Sequence, residues 1–145
     1  MMTKQVMRPK RRPKATLLAY MGACLDMRGH ISIAKKDGRC RLRITVPQRF
    51  MLDPFRDVYG GSIYKSIQYD SAANWTWEVS VKGSLIRICR DLLPYTRQQT
   101  PLTVLHRVLT GLVKWQDATG ILTDFYARWY VRWTPKKEEQ SNGDT

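Results

Sequence analysis

MGACLDMRGHISI, residues 21–33, decides the fold of this chain. It continues an apolar run that begins at residue 15 as ATLLAY, and it ends with apolar side chains at every second position. The first pattern suits a buried helix and the second a strand with one face in a core. They meet at Gly29, a residue type that marks helix ends. The stretch predicts a helix over 15–26 handing directly to a strand at 30–36, HISIAKK. Near the end of that helix stand one acid, Asp26, and one base, Arg28.

Working outward, RCRLRITV (39–46) alternates like the first strand, and Asp37-Gly38 between the two is a strong hairpin signal. FMLDPFRDVY (50–59) predicts a short helix with Pro54 in its first turn. GGSIYKSI (60–67) and NWTWEVSVK (74–82) form a second strand pair. GSLIRICRDLLPY (83–95) has helical spacing at Leu85, Ile88, Cys89 and Leu92. A further helix follows Pro101, with Leu102, Leu105, Leu109, Leu112 and Val113 on one side, and ILTDFYARWYVRW (121–133) is an aromatic helix. The chain has no internal repeat, so the order is αββαββα followed by two helices, in one α+β domain. Its parts are a basic arm (1–14), a domain (15–116), an aromatic helix (117–134) and a disordered tail (135–145).

The 145 residues include 25 Lys and Arg against 12 Asp and Glu, a formal charge of +13 that attracts polyanions, nucleic acid foremost. Cys24, Cys40 and Cys89 are odd in number, far apart and lack zinc-ligand spacing, which suits buried thiols in a reducing, intracellular setting, cytoplasmic or nucleoid-associated. The apolar run 15–25 is too short to span a bilayer, and Asp26 and Arg28 follow it at once, so neither export nor a membrane segment is expected. Lys4, Arg8, Lys10, Arg11, Arg12 and Lys14, with Pro9 and Pro13, make the arm an extended element suited to phosphates, or equally a solubilising tail.

In the 39–46 strand Cys40, Leu42, Ile44 and Val46 share one face, while Arg39, Arg41, Arg43 and Thr45 share the other. Three arginines on one face repel unless an anion lies against them, and a strand ribbon carrying arginine forks fits the major groove. A charged sheet edge that prevents aggregation is the competing reading. Gln48 and Arg49 extend this surface; Lys65 and Tyr64 are further candidates, although Lys65 shares its face with Ile63 and Ile67. Trp75, Trp77, Val79 and Val81 fall together and are expected to pack on the helices. Trp129, Tyr130 and Trp133, beside Arg128 and Arg132, could dock on the domain, on a partner chain or on nucleic acid.

AYMGACLDMRGHISI resembles the signature helix and first strand of the LAGLIDADG homing endonucleases, with MGACLDMRG filling the nine motif positions. VPQR before a short helix, GGSIYK opening the third strand, a tryptophan strand and LLPY closing a helix extend the resemblance over about residues 15 to 116. It implies an αββαββα fold and a homodimer on a roughly palindromic duplex site. Two signature helices would pack about a two-fold axis through Ala19, Gly22 and Ala23; close packing inside one chain is the alternative. It also implies DNA contact through the arginine strand; Arg49, Lys65 and Arg97 are further expected DNA contacts.

In family members that cut, the last acid of the motif binds Mg²⁺. Here that position is Arg28, and a guanidinium cannot ligate a metal. Asp26 points about 200° away around the helix and is expected to be structural. Where the family carries a lysine near the reacting phosphate, the resemblance aligns Gln99, with Arg97 two residues earlier; Gln48 matches a solvent-positioning place. The expectation is a DNA-binding protein that does not cleave as a homodimer and needs no metal. Two alternatives stand beside it: an Mg²⁺-dependent endonuclease, active alone or with a second chain, and an RNA-binding maturase-like splicing cofactor.

Overall fold

The change of period at Gly29 is a change of structure. In the computed structural model, which describes residues 12–67 and 73–133, helix α1 (Ala15–Arg28) runs without a break into strand β1 (Gly29–Ile33). Gly29 is extended rather than left-handed, and its N–H caps the helix on the Leu25 carbonyl. A Cβ there would lie 2.7 Å from the Leu25 carbonyl oxygen, backbone that cannot swing aside, so the close approach favours glycine. The arm up to Arg11, the tail from residue 134 and the side chains of Tyr130, Arg132 and Trp133 lie outside the described residues.

Strand β2 (Cys40–Val46) returns antiparallel to β1, with His30 opposite Arg43 and Ser32 opposite Arg41. A 3₁₀ turn (Arg49–Leu52) leads into α2 (Asp53–Tyr59). Strands β3 (Ser62–Ile67) and β4 (Ala73–Val79) form the second hairpin. Then come α3 (Lys82–Leu92), a 3₁₀ turn (Leu93–Tyr95), α4 (Gln99–Leu109) and α5 (Trp115–Trp133). The sheet order is β1-β2-β4-β3, all antiparallel, as expected for αββαββα with two added helices.

Alternation fixes which face carries the core. Ile31, Leu42, Ile44, Val46, Trp77 and Val79 point to the helices and are buried. Leu18, Met21 and Leu25 of α1, Phe55 of α2 and Leu85, Ile88 and Leu92 of α3 meet them. Trp77 is fully buried against Phe55, ring centroids 4.9 Å apart, and its indole N–H donates to the Gly60 carbonyl at 2.8 Å. The tryptophan strand therefore packs, and truncating Trp77 should cost about 3–5 kcal/mol.

Helix α5 begins at Trp115, earlier than its sequence suggests, and belongs to the same core. Ala118, Leu122, Tyr126 and Trp129 recur at helical spacing and are buried, so the aromatic cluster docks on its own domain through Trp129. The helix packs along β1, an edge strand whose outward N–H and C=O groups would otherwise be open.

Gly22 differs from the expectation. A Cβ on it would lie 2.0 Å from the Tyr95 carbonyl oxygen, so it serves close packing within the chain. Ala19 and Ala23 remain exposed, and Met27, 78% exposed, continues their line. The reason is rotation: three residues past Ala19 turns the helix roughly 60° short of a full turn, enough to carry Gly22 to the core side.

Candidate nucleic-acid interface

The sheet face away from the helices presents Arg41, Arg43 and Thr45 of β2 beside Thr76 and Glu78 of β4, with Ser62, Tyr64 and Ser66 of β3 beyond. Arg43 is exposed and Arg41 half-buried, while Arg39, in the hairpin just before β2, donates from Nη2 to Ser80 Oγ at 3.1 Å. Thr45 and Thr76 share a hydroxyl hydrogen bond of 2.9 Å. Glu78 stands among the arginines: its Oε1 accepts from Arg43 Nε at 2.8 Å and from the Tyr64 hydroxyl at 3.0 Å. Burial pushes the Glu78 carboxyl up, but the Tyr64 hydrogen bond and the charges of Arg43 and Arg41 outweigh it, leaving the group below its ordinary value.

Lys65 does not join this face. It pairs with Trp75 and, with Ile63, projects on the helix side, because residues of one strand share a face only at even spacing. Tyr64 is the β3 residue that reaches the arginines. Arg49 lies beyond the end of β2 with its guanidinium 5.5 Å over the Trp75 ring, on the rim.

The second feature is at the foot of α1, where Ala23, Asp26, Met27, Arg28, Gly29, His30, Arg97 and Trp129 line an open cavity of about 580 Å³. Asp26 and Arg28 both border it despite their angular separation, since the helix ends there and neither is covered by a next turn. Asp26 Oδ1 accepts from the Thr96 hydroxyl and from the Arg97 N–H at 2.8 Å, anchoring the segment after α3 to the end of α1. That anchor turns Arg97 toward the cavity. Gln99, aligned with the family lysine, instead faces solvent and bonds weakly to the Leu93 carbonyl at 3.4 Å, so Arg97 is the residue at the foot. Gln48 is exposed before the 3₁₀ turn and does not line this cavity. His30 stacks on Tyr126 at 4.2 Å, and burial, then the Arg43 charge, lowers its pKa.

Behind the cavity is a buried network that sequence reasoning missed. Gln98 is fully buried and its amide donates to the Leu25 carbonyl at 2.7 Å and the Gly29 carbonyl at 3.1 Å. Its Oε1 accepts from the Tyr126 hydroxyl at 2.6 Å, and that hydroxyl accepts from the Ile31 N–H at 2.9 Å. Gln98 and Tyr126 thus satisfy two backbone groups of the β1 edge, the Gly29 carbonyl and the Ile31 N–H, in place of a fifth strand. The face position of Glu78 was available from alternation in NWTWEVSV; its partners required the register.

These donors do not suit the divalent metal that the resemblance implies. Among the described residues the foot offers one carboxylate, already bonded through Oδ1, beside two guanidinium groups, and Mg²⁺ requires several oxygens in octahedral array. Among the described residues no three His, Cys, Asp or Glu side chains gather in a way that could hold a metal ion.

No protein-family profile and no curated protein matches the sequence. Solved structures do match in shape. The homing endonuclease I-CvuI, in complex with the I-CreI target and magnesium with the DNA not cleaved, aligns with a TM-score of 0.58 at 19% identity, over 75% of this chain and 83% of that one. The archaeal intron-encoded homing endonuclease I-Vdi141I, complexed with DNA, aligns with a TM-score of 0.55 at 16% identity, over 67% and 69%. The group I intron-encoded I-CeuI, also complexed with DNA, aligns at 0.53 and 12%, over 70% and 57%. The chain has the α+β fold of the LAGLIDADG homing endonucleases.

Proposed function

We propose that this chain is a homodimeric, sequence-preferring binder of double-stranded DNA that uses a homing-endonuclease fold to hold its site without cutting it. The carrying observation is the pair Arg28 and Arg97 on one cavity at the foot of α1. Two dimer-related copies would bring four guanidinium groups near one axis, where they clamp phosphates rather than assemble metal ions. The basic sheet face supports contact with the major groove, and the exposed line Ala19, Ala23 and Met27 supports packing of two α1 helices. The DNA-bound structures that share the fold support the choice of duplex DNA. Three buried free thiols suit a reducing compartment, and among the described residues no helix is long and apolar enough to cross a membrane.

The test selects bound duplexes from a random pool, then incubates the enriched pool with protein and Mg²⁺. An enriched, roughly palindromic sequence that stays intact is the expected result. Arg28→Ala should weaken binding and lower the salt slope, and Arg28→Asp should begin to restore strand breaks if that one position accounts for the loss. Breaks made by the natural protein would refute the non-cleaving reading. Preference for structured RNA over duplex DNA at one salt concentration would replace it with a splicing role.

A further inference from the structure

The arginine face contains an acid that weakens it as a polyanion surface. Glu78 lies opposite Arg43 in the sheet register, with its Oε1 on Arg43 Nε and on the Tyr64 hydroxyl. Its Oε2 lies 3.9 Å from Arg41 Nε. The carboxylate borders a recess of about 340 Å³ walled by Arg39, Ser62, Tyr64 and Ser80. Any phosphate drawn to Arg43 there also meets Glu78, and one of the few positive charges on the sheet is cancelled. A face built only to grip phosphates would do better with a neutral residue at this place.

What the acid provides is geometry. A guanidinium has five N–H donors in a rigid plane. With Nε held by Glu78, the plane is fixed and the far edge, formed by Nη1 and Nη2, is left for a ligand. That edge matches the paired acceptors O6 and N7 of guanine in the major groove. An untethered arginine on the same strand would swing to the nearest phosphate and carry no sequence information.

We infer that Glu78 is a specificity-determining positioning residue, which sets Arg43 as a fixed fork for guanine and repels phosphate from the same spot. The inference rests on the reading of this sheet as a duplex-DNA surface. It predicts opposite signs for affinity and specificity. Glu78→Gln removes the repelling charge, so binding to random-sequence duplex tightens and the slope of log affinity against log salt steepens by about one unit. In the same variant a neutral amide oxygen replaces the charge-assisted carboxylate acceptor and holds Nε more weakly, so enrichment of guanine at the position read by Arg43 falls about tenfold. Glu78→Asp keeps the charge but shortens the reach, so specificity falls without the gain in non-specific affinity. In an Arg43→Ala background, Glu78→Gln should cause no further loss of specificity.

The experiment is duplex selection from a random pool with the full chain and these variants, beside a salt titration on random duplex and a thermal melt of each protein. An unchanged base profile in Glu78→Gln, whether or not the melting temperature drops, would make Glu78 a tie between strands and overturn the inference. Failure of the natural protein to enrich any sequence while still binding duplex would overturn the underlying sequence-preferring reading instead. Should Glu78→Gln not fold, Glu78→Asp and Tyr64→Phe decide the matter. The inference requires the first to lose guanine preference, and the second to keep it because the Arg43 bond remains.

Discussion

Replacing Gln98 with methionine tests the idea that one buried side chain holds the foot of α1, the β1 edge and α5 together. The volume is nearly conserved, so packing is left in place and only the amide is removed. The Leu25 carbonyl keeps its bond from the Gly29 N–H. The Gly29 carbonyl loses the Gln98 donor and the Tyr126 hydroxyl loses its acceptor, both in a fully buried setting. The loss of these two buried hydrogen bonds costs about 2–5 kcal/mol. For a domain of this size that lowers Tm by about 6–15 °C. Urea unfolding at constant m gives the free energy directly. Tyr126→Phe removes the other half of the link, so the double variant should cost less than the sum by at least about 1 kcal/mol. Additivity within about 0.5 kcal/mol, or a Gln98→Met protein as stable as the natural one, would refute the network as a stabilising unit.

Gly22→Ala places a methyl where the Tyr95 carbonyl oxygen lies 2.0 Å away, so α1 and the Leu93–Tyr95 turn must separate; a loss of about 1–3 kcal/mol is expected in chemical denaturation. Arg43→Ala should lower guanine enrichment in duplex selection, whereas Lys65→Ala, on the other side of the sheet, should leave the base profile nearly unchanged in the same selection. His30 has a folded pKa below its unfolded value, so the unfolded chain takes up protons first as pH falls below about 6.5. Stability should therefore decline from neutral pH toward the folded pKa, and His30→Gln should flatten that part of a pH series of melts.

What could be read from sequence was whatever has a period. CRLRITV declares both of its faces because each position is clearly apolar or clearly polar, and the fold supplies the partners that the pattern requires. Ile63, Lys65 and Ile67 likewise placed the lysine on the core side. Helix α5 was legible only from Ile121, because Thr119 and Gly120 are poor helix formers and dilute the pattern; burial of Ala118 and Leu122 in the core overrides that preference. Gln98 carries no periodic signal at all. It is a polar residue in a polar segment, and its partner Leu25 is 73 residues away, so its burial follows from tertiary contact alone. The placement of Arg97 rather than Gln99, two residues on, at the foot of α1 had the same origin. Only the bond from the Arg97 N–H to Asp26 fixes which side chain turns to the cavity.

That bond also bears on whether Asp26 can stand in for the missing acid. Its Oδ1 holds the Thr96 hydroxyl and the Arg97 N–H, and Thr96 in turn accepts from the Gln98 N–H at 3.0 Å. Drawing Asp26 toward a metal would loosen the segment that carries Arg97 and seats Gln98. The same motion would bring a divalent cation beside Arg28 and Arg97, and among the described residues no second carboxylate lines the cavity to offset the repulsion. In the proposed homodimer a two-fold partner would contribute the same residues and repeat the conflict. On the proposed two-fold, non-cleaving reading, strand scission through this site would call for a chain of different sequence across the axis, one that brings its own acid to the foot of α1, and such a mixed pair would nick one strand where two intact sites would cut both.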